Sequence, residues 1–457
     1  MPAQYNTLYQ VPPFSLFLRL HLLRRFSDAV YQSLPLFNVD PERSLANGLE
    51  NLRSLLHSSG KIALLRSWIS QTEQEREIGP TIVLNRFAAK DKRQTPLFIQ
   101  AAKQLPDTTI LRASKRAWKA QFTGEGAEDA GGPYNESIAE MCEELLCNDP
   151  QSPAALFGLT PNGQNKEGDF QDLYVLRKSR PEANNLNFYR FLGVLMAVAI
   201  RTKSPLRLFL APLFWKRLLQ INITEEDLMS VDKSFVSTHH YILNIDKYGI
   251  NDEESFELLP LEAFLPLQTG ANQELPLTFA NRKEYVEKAF ELQMDSCALE
   301  FAAIRKGMEN LLPVSLLSLF TASELELLVC GSAEINWEPL RANTAYRGAF
   351  TVDSKQIIWL WEELEAMSPD DRSHFLRFVW GHTRLPSDPS DIRQQFLVQS
   401  GSNSPADEYL PTAQTCFFKL VLPTYSSRQI LSEKLLYAIR FCRVIDTDDY
   451  ARQGNIE

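Results

Sequence analysis

Apolar residues recur at helical spacing along residues 10–70. Two runs with this spacing contain Leu16, Leu20 and Leu23, then Leu52, Leu55 and Leu56. Residues three or four apart share one helix face, so both runs predict helices. Thr81–Leu84 predicts a short strand, and the charged residues 86–104 predict a linker into another helix. We predict a helical N-terminal extension over residues 1–85, which either caps the next domain or docks another protein.

The run Asn187–Ile200 is apolar on every face, which predicts a central helix buried on all sides. Pro212 predicts the start of another core helix, because proline fits the first helical turn. Thr321 and Glu324 have the spacing of a capping box, and Gly331 supplies a left-handed stop. Asn281 and Glu284 have the same spacing, which predicts a capping box at the start of another helix. These signals predict a mostly helical large domain that ends near residue 331.

A second, smaller domain is predicted after a segment of mixed polarity at residues 332–344, which we interpret as a hinge. Ser354–Met367 and Pro369–Trp380 predict two helices, and the second starts at Ser368-Pro369 and stops near Gly381. Ser426 is predicted to cap the last helix. No internal repeat of solenoid or propeller length is apparent.

Composition narrows the possible partners. The 457 residues include 47 Lys and Arg against 57 Asp and Glu, a net charge of −10, which argues against nucleic-acid or anionic-membrane binding and favours protein partners. The six cysteines lack paired spacing, so neither disulfides nor structural zinc is expected. The longest charge-free apolar run, Phe191–Ile200, is too short to span a bilayer. We therefore expect a cytoplasmic protein, with the nucleus as a second location.

The segment Leu410–Tyr425 carries the candidate chemistry. A polar loop is followed by Cys416 and an apolar run that Pro423 ends, because proline gives no N–H to a sheet. The pattern predicts a strand with Cys416 at its edge, anchored by Phe418, Leu420 and Leu422, which alternate onto one face. The alternative is that Cys416 is a small buried hydrophobic residue.

Five sequence motifs together resemble one family. Around Cys416, the chain reads Leu-Pro, a polar spacer, Thr-Cys-Phe and Leu-x-Leu-Pro-x-Tyr, which resembles the active-site segment of HECT-type E3 ubiquitin ligases. Further segments resembling the same family are Gly124–Gly132, Asn187–Ile200, Asn281–Val286 and Phe378–Pro386. The resemblance covers roughly residues 110 to 445 and is strongest to the very large HERC-type members. Their upstream RCC1-like repeats do not occur here, so we expect either a short relative or the terminal piece of a longer product.

The resemblance implies a bilobal α+β fold. Residues 86–331 are expected to form a mostly helical large N-lobe containing an E2-binding subdomain at about 233–298. Residues 345–457 are expected to form a small α/β C-lobe with a polar tail, joined through the hinge at 332–344. A hinge would let the small lobe face first an E2 enzyme and then a substrate.

The resemblance also implies the reaction. Cys416 is expected to accept ubiquitin from a charged E2 as a thioester and to pass it to a substrate lysine, with no cofactor or metal. Gln414, Thr415 and Phe418 are expected to support this site. The expected partners are the ubiquitin-charged E2, ubiquitin itself and a protein substrate, with no nucleic acid and no membrane span. Candidate E2-binding residues are Tyr241, Ile242, Leu243 and Tyr248.

Two features depart from the family pattern. Gln414 stands where members often have histidine, and an amide cannot act as a base. Eleven residues follow Asp446, the acidic group expected near the C-terminus. These departures leave a second hypothesis open, a HECT-like scaffold that binds E2 or ubiquitin with little or no catalysis.

The sequence argues against three other types of site. A papain-like hydrolase would use His374 or His382, but no matching cysteine setting occurs. The adjacent His239 and His240 diverge on any helix or strand, which argues against a metal site. The glycine-rich residues 122–133 carry acidic side chains that would repel phosphate. The substrate, chain linkage and cognate E2 are not determined by the sequence.

Overall fold

The computed structural model describes residues 10–33, 50–90, 95–105, 109–113, 115–124, 132–147, 149, 151–177, 186–259, 264, 266–270, 273–332, 335–381, 384–386, 392 and 394–441. Its helices in chain order are α1 Pro13–Ser33, α2 Ser58–Gln71, α3 Arg86–Lys90, α4 Leu97–Gln104, α5 Gly132–Leu145, α6 Pro161–Asn165, α7 Leu186–Thr202, α8 Pro212–Leu218, α9 Glu225–Val231, α10 Lys233–Leu243, α11 Glu253–Glu257, α12 Arg282–Met294, α13 Ala298–Glu309, α14 Val314–Leu317, α15 Ala322–Cys330, α16 Glu338–Ala342, α17 Lys355–Ala366, α18 Pro369–Trp380 and α19 Arg428–Phe441. Its strands are β1 Thr81–Leu84, β2 Lys119–Phe122, β3 Phe157–Leu159, β4 Tyr174–Leu176, β5 Leu267–Gly270, β6 Gln273–Leu275, β7 Thr344–Arg347, β8 Phe396–Ser400, β9 Thr412–Gln414 and β10 Lys419–Leu422. Within this part of the chain, no helix is both long and apolar enough to cross a bilayer.

The large lobe is built around α7, whose residues from Phe191 to Thr202 are all buried, so the predicted central helix is confirmed. It packs against α13 at a pair of glycines. A Cβ on Gly193 would lie 1.9 Å from the carbonyl oxygen of Ile304, and one on Gly307 would lie 1.9 Å from that of Arg190. Only glycine allows the two backbones to approach this closely.

The N-terminal extension is attached to the large lobe by a buried lysine. Lys61 on α2 is fully buried, and its Nζ donates to the carbonyl of Arg53 at 2.6 Å and to Glu324 Oε2 at 2.6 Å. The following strand β1 pairs in parallel with β2. The predicted boundary after residue 85 therefore falls between two strands of one sheet.

The predicted linker at residues 86–104 is wrong for residues 86–90 and 97–104, which form α3 and α4, and residues 91–94 lie outside the described residues. Helix α4 buries Leu97, Phe98, Ile99 and Ala101 in the large-lobe core. Arg86 on α3 forms ion pairs with Glu136 at 2.7 Å and with Glu140 at 3.0 Å. Arg86 thus pairs with α5 from the surface of a helix.

Residues 233–294 contain a small core of their own, formed by α10, α11 and α12. Helix α12 begins at Arg282 as predicted, but the Asn281 side chain does not cap it. Its Oδ1 accepts from the Thr278 N–H at 2.8 Å and its Nδ2 donates to the Pro276 carbonyl at 2.8 Å. The predicted capping box at Asn281 is therefore wrong, because the side chain closes the preceding turn. The box at Thr321 and Glu324 is confirmed.

The small lobe has a four-stranded sheet in the order β7-β8-β10-β9. Strands β7, β8 and β10 run parallel, and β9 is antiparallel to β10. Helices α17, α18 and α19 complete its core, and α17 and α18 match the predicted boundaries. Ile335, Trp337 and Leu340 also belong to this core. Most of the predicted hinge at 332–344 thus packs with the small lobe.

Candidate active site

Cys416 lies in a tight turn at one end of the small-lobe sheet. Strand β9 ends at Gln414, residues Thr415–Phe417 form a single 3₁₀ turn, and β10 begins at Lys419. Gln414 is paired with Lys419, so the turn connects two adjacent antiparallel strands. The predicted strand therefore begins three residues later than Cys416. This placement puts the cysteine backbone on a hairpin tip.

Phe418 holds this turn to the lobe. Its side chain is fully buried and its ring lies 4.5 Å from that of Trp380 and 4.8 Å from that of Phe396. Its backbone has a φ of 46°, a left-handed conformation that costs about 1–2 kcal/mol for a residue with a side chain. Its carbonyl accepts from the Leu397 N–H at 3.0 Å. The ring contacts and this bond offset the cost, which agrees with Phe418 as an anchor.

The other predicted support residues differ in exposure. Gln414 is exposed, and Thr415 is half-buried with its hydroxyl oxygen shielded from solvent and without a hydrogen-bond partner. Phe417 is 66% exposed. A buried hydroxyl next to a cysteine is able to donate to an oxyanion that forms there. The exposed Phe417 ring was not predicted from the sequence. The signal for it is its position next to Phe418, because adjacent side chains of an extended segment point to opposite faces.

A loop before β9 is fixed by contacts that sequence reasoning missed. Asp407 accepts from the Ser426 N–H at 2.9 Å and from its hydroxyl at 2.6 Å. These hydrogen bonds hold the pKa of the Asp407 carboxyl below its usual value. Ser426 therefore ties two loops together, and the predicted cap at Ser426 is wrong. Ser427 instead accepts from the Ile430 N–H at 3.3 Å at the start of α19.

The candidate E2-binding residues divide into exposed and buried ones. Tyr241 and Tyr248 are 39% and 65% exposed, and their rings lie 4.9 Å apart. Ile242 is only 2% exposed and belongs to the small core of residues 233–294. Its side chain is not available to a partner, which corrects the prediction for that residue. Leu243 is half-buried, while Leu258, 84% exposed, was missed.

The adjacent histidines point to different surroundings. His239 is buried and its Nδ1 lies 2.7 Å from the Phe235 carbonyl, and burial lowers its pKa. His240 Nε2 lies 2.9 Å from Glu225 Oε1 on the surface. Among the residues that the structure describes, no group of three or more His, Cys, Asp or Glu side chains is arranged to hold a metal.

Comparison with known sequences agrees with this architecture. The profile of the HECT-domain (ubiquitin-transferase) family matches residues 140–446. Two thirds of the chain lies within this match, so the protein belongs to the HECT-domain family of ubiquitin transferases. The bilobal α+β fold expected from the resemblance is confirmed.

Particular relatives are E3 ubiquitin-protein ligases. E3 ubiquitin-protein ligase HERC2 of Mus musculus is 39% identical over 99% of this chain and 10% of its own length. NEDD4 of Mus musculus is 27% identical over 86% of this chain and 47% of its own length. UPL1 of Arabidopsis thaliana is 28% identical over 87% of this chain and 11% of its own length. The chain therefore spans about a tenth of the HERC2 protein that it matches.

Proposed function

We propose that this chain is an E3 ubiquitin transferase that carries ubiquitin on Cys416. The observation that carries the proposal is the hairpin tip at Thr415–Phe417, anchored from below by the buried Phe418 ring. A nucleophile on a short turn between paired strands is held in one place while remaining at the edge of its lobe. Membership of the HECT-domain family supports the same role.

Two acyl transfers make up the reaction. In the first, the Cys416 thiolate attacks the thioester carbonyl on the E2; a new C–S bond forms, the old one breaks, and the E2 cysteine leaves as a thiolate. In the second, a substrate lysine amine attacks, an isopeptide bond forms, and Cys416 leaves as a thiolate. The amine nitrogen gives up one proton in that step, which passes to solvent or to the departing thiolate. No cofactor enters either transfer.

Thr415 is the side chain that we propose for the oxyanion. Both transfers pass through a tetrahedral intermediate with a negatively charged oxygen. The Thr415 hydroxyl has no partner in the described structure, so it is free to donate to that oxygen at no cost in existing bonds. Gln414 is exposed and carries an amide, which supports hydrogen bonding to ubiquitin rather than proton transfer.

The partners in this proposal are a ubiquitin-charged E2, ubiquitin and a protein substrate. We place the E2 against the exposed pair Tyr241 and Tyr248, because exposed aromatic side chains are enriched at protein interfaces. We propose a cytoplasmic or nuclear location. None of the described cysteines Cys142, Cys147, Cys297 and Cys330 forms a disulfide, which supports a reducing compartment.

The test is capture of the intermediate. The protein is mixed with E1, E2, ATP and labelled ubiquitin, and the products are separated on non-reducing and reducing gels. Wild type should give an adduct that thiols remove. Cys416→Ser should give an adduct that resists thiols but is cleaved by hydroxide, because serine forms an oxyester. Cys416→Ala should give none.

Cys147→Ala is the matched control. Cys147 is a half-buried thiol in the large lobe, and its removal should leave the adduct unchanged. Absence of any adduct from folded wild type that still binds E2 would contradict the proposal and favour the non-catalytic scaffold.

A further inference from the structure

The two lobes contact each other through the end of α18 and the turn that follows it. Near the connection between lobes, the Ser332 N–H donates to the Leu385 carbonyl at 3.3 Å. Arg384 is 6% exposed, and its guanidinium lies 5.1 Å from the centre of the Phe209 ring of the large lobe. These contacts lie where the chain itself crosses between lobes. They are compatible with rotation of the small lobe about that point.

A second set of contacts lies further along α18. Arg377 forms an ion pair with Glu143 of α5, and the Asn135 amide of α5 donates to the Trp380 carbonyl at 3.4 Å. We call these four residues the lobe latch. Gly381 permits the close approach, since it has a φ of 77° and a Cβ there would lie 3.1 Å from Asn135 Cβ.

The charge distribution on α5 strengthens the latch. Arg377 faces a helix that also carries Glu136, Glu140 and Glu144, and its charge acts on Glu140 as well as on the paired Glu143. Across the lobe boundary Arg377 therefore pairs with Glu143 and acts electrostatically on Glu140. Reversal of the Arg377 charge would place like charges together there.

Trp380 connects the latch to the active-site turn. Its carbonyl accepts from Asn135 of the large lobe, while its ring stacks on Phe418 at 4.5 Å with an interplanar angle of 12°. Phe418 is two residues from Cys416. The orientation of α18 against α5 thus sets where the active-site turn lies relative to the large lobe.

Resting on the function proposed above, we propose that the lobe latch selects between the two transfers. Arg377, Glu143 and Asn135 act as positioning residues that hold the small lobe in the orientation serving discharge onto a substrate lysine. The large-lobe residues of the latch lie outside residues 233–298, whereas transfer from E2 requires the active-site turn to face the E2 bound there. Weakening the latch should therefore speed transfer from E2 to Cys416 and slow discharge from Cys416.

The test measures each transfer in a single turnover. The first rate is transfer from charged E2 to Cys416 without an acceptor. The second is discharge of the purified ubiquitin adduct onto excess free ubiquitin. Arg377→Ala should raise the first rate about two- to fivefold, the effect of losing a partly exposed ion pair. Arg377→Glu should also lower the second rate about tenfold, because repulsion between the lobes shifts the population toward the other orientation.

Charge exchange separates positioning from general damage. The double variant Arg377→Glu, Glu143→Arg restores an ion pair and should bring both rates back toward wild type. Arg428→Ala is the matched control, since Arg428 pairs with Glu362 at 2.6 Å entirely within the small lobe. Both of its rates should be unchanged.

Small-angle scattering of the uncharged protein provides a readout that needs no activity. Arg377→Glu should enlarge the radius of gyration, and the charge exchange should reverse this. The latch is overturned if scattering and rates stay unchanged, if both rates move in the same direction, or if the exchange restores neither. If wild type forms no thioester but Arg377→Glu changes the scattering as expected, the result contradicts the proposed transferase function and leaves the latch standing.

Discussion

The indole ring of Trp380 and the ring of Phe418 lie nearly parallel, with centroids 4.5 Å apart. This contact joins the end of α18 to the turn that carries Cys416. Trp380→Ala should lower the free energy of unfolding by about 3–5 kcal/mol. It should slow transfer from E2 to Cys416 by at least about tenfold, because a small displacement of a nucleophile is costly.

Trp337→Ala separates displacement of the turn from loss of stability. Trp337 is buried in the same core, where its Nε1 donates to the Leu364 carbonyl at 2.9 Å. Its replacement should destabilise the lobe to a similar degree and leave transfer unchanged at temperatures where the protein is folded. Equal slowing by both variants, measured beside urea unfolding curves, would contradict a specific role for the stack.

The exposed tyrosines of the predicted E2 surface should affect binding rather than stability. Tyr241→Ala and Tyr248→Ala should each weaken E2 binding about tenfold, as expected for interface aromatic residues. Each should change the free energy of unfolding by no more than about 1 kcal/mol. Calorimetric titration with uncharged E2 measures the affinity.

Ile242→Ala should behave in the opposite way. Its burial predicts a loss of about 2–5 kcal/mol of stability, with E2 affinity retained by the folded fraction. Tyr437→Ala in the small lobe, 54% exposed, is the matched control for loss of a surface aromatic. Wild-type affinity in both Tyr241→Ala and Tyr248→Ala would exclude this surface.

Glu140 should make stability depend on pH. Burial raises the pKa of its carboxyl to about 7, although Arg86 and Arg377 oppose the shift and Glu136 and Glu144 add to it. Between pH 4.5, the ordinary pKa of this carboxyl, and about pH 7, the folded chain therefore holds a proton that the unfolded chain has lost. Stability contributed by this protonated group is complete at low pH and falls as pH rises through this window.

Glu140→Gln removes that titration. The stability of the variant relative to wild type should increase from pH 5 to pH 8, as followed by urea unfolding at each pH. Parallel pH curves for the two proteins would show that Glu140 does not titrate in this range.

Lys61 should control attachment of the N-terminal helices. Lys61→Met leaves Glu324 without its buried partner, which should cost about 3 kcal/mol. Hydrogen exchange should quicken along α2. Lys306→Met breaks an exposed pair with Glu309 at 2.6 Å and should cost less than about 1 kcal/mol. A loss no larger for Lys61→Met than for this control would exclude the buried pair as the attachment.

Local sequence signals were sufficient where one short segment decides the outcome. The all-apolar run predicted α7, and the caps at Thr321 and Ser368 predicted the starts of two helices. The alternation of Phe418, Leu420 and Leu422 predicted a buried face, and all three are fully buried. In each case the period of the backbone alone determines which side chains share a face.

Signals failed where one side chain had several possible partners. Asn281 and Ser426 are both residue types that cap helices, yet Asn281 bonds to the Pro276 carbonyl in the turn before it and Ser426 bonds to Asp407 in another loop. Ile242 has the character of a surface anchor, but the small core around Phe256 encloses it. The local sequence does not determine which of several possible partners lies closest to a side chain in the folded protein.

The sequence by itself determined the family, the candidate nucleophile and the two-lobe order, because these reside in contiguous motifs. Only the tertiary structure decided that Trp380 touches both Phe418 and the large lobe, and that Arg377 meets Glu143. Arg377 and Glu143 are 234 positions apart. Such contacts depend on how whole elements pack, and no local periodicity encodes the relative placement of two lobes.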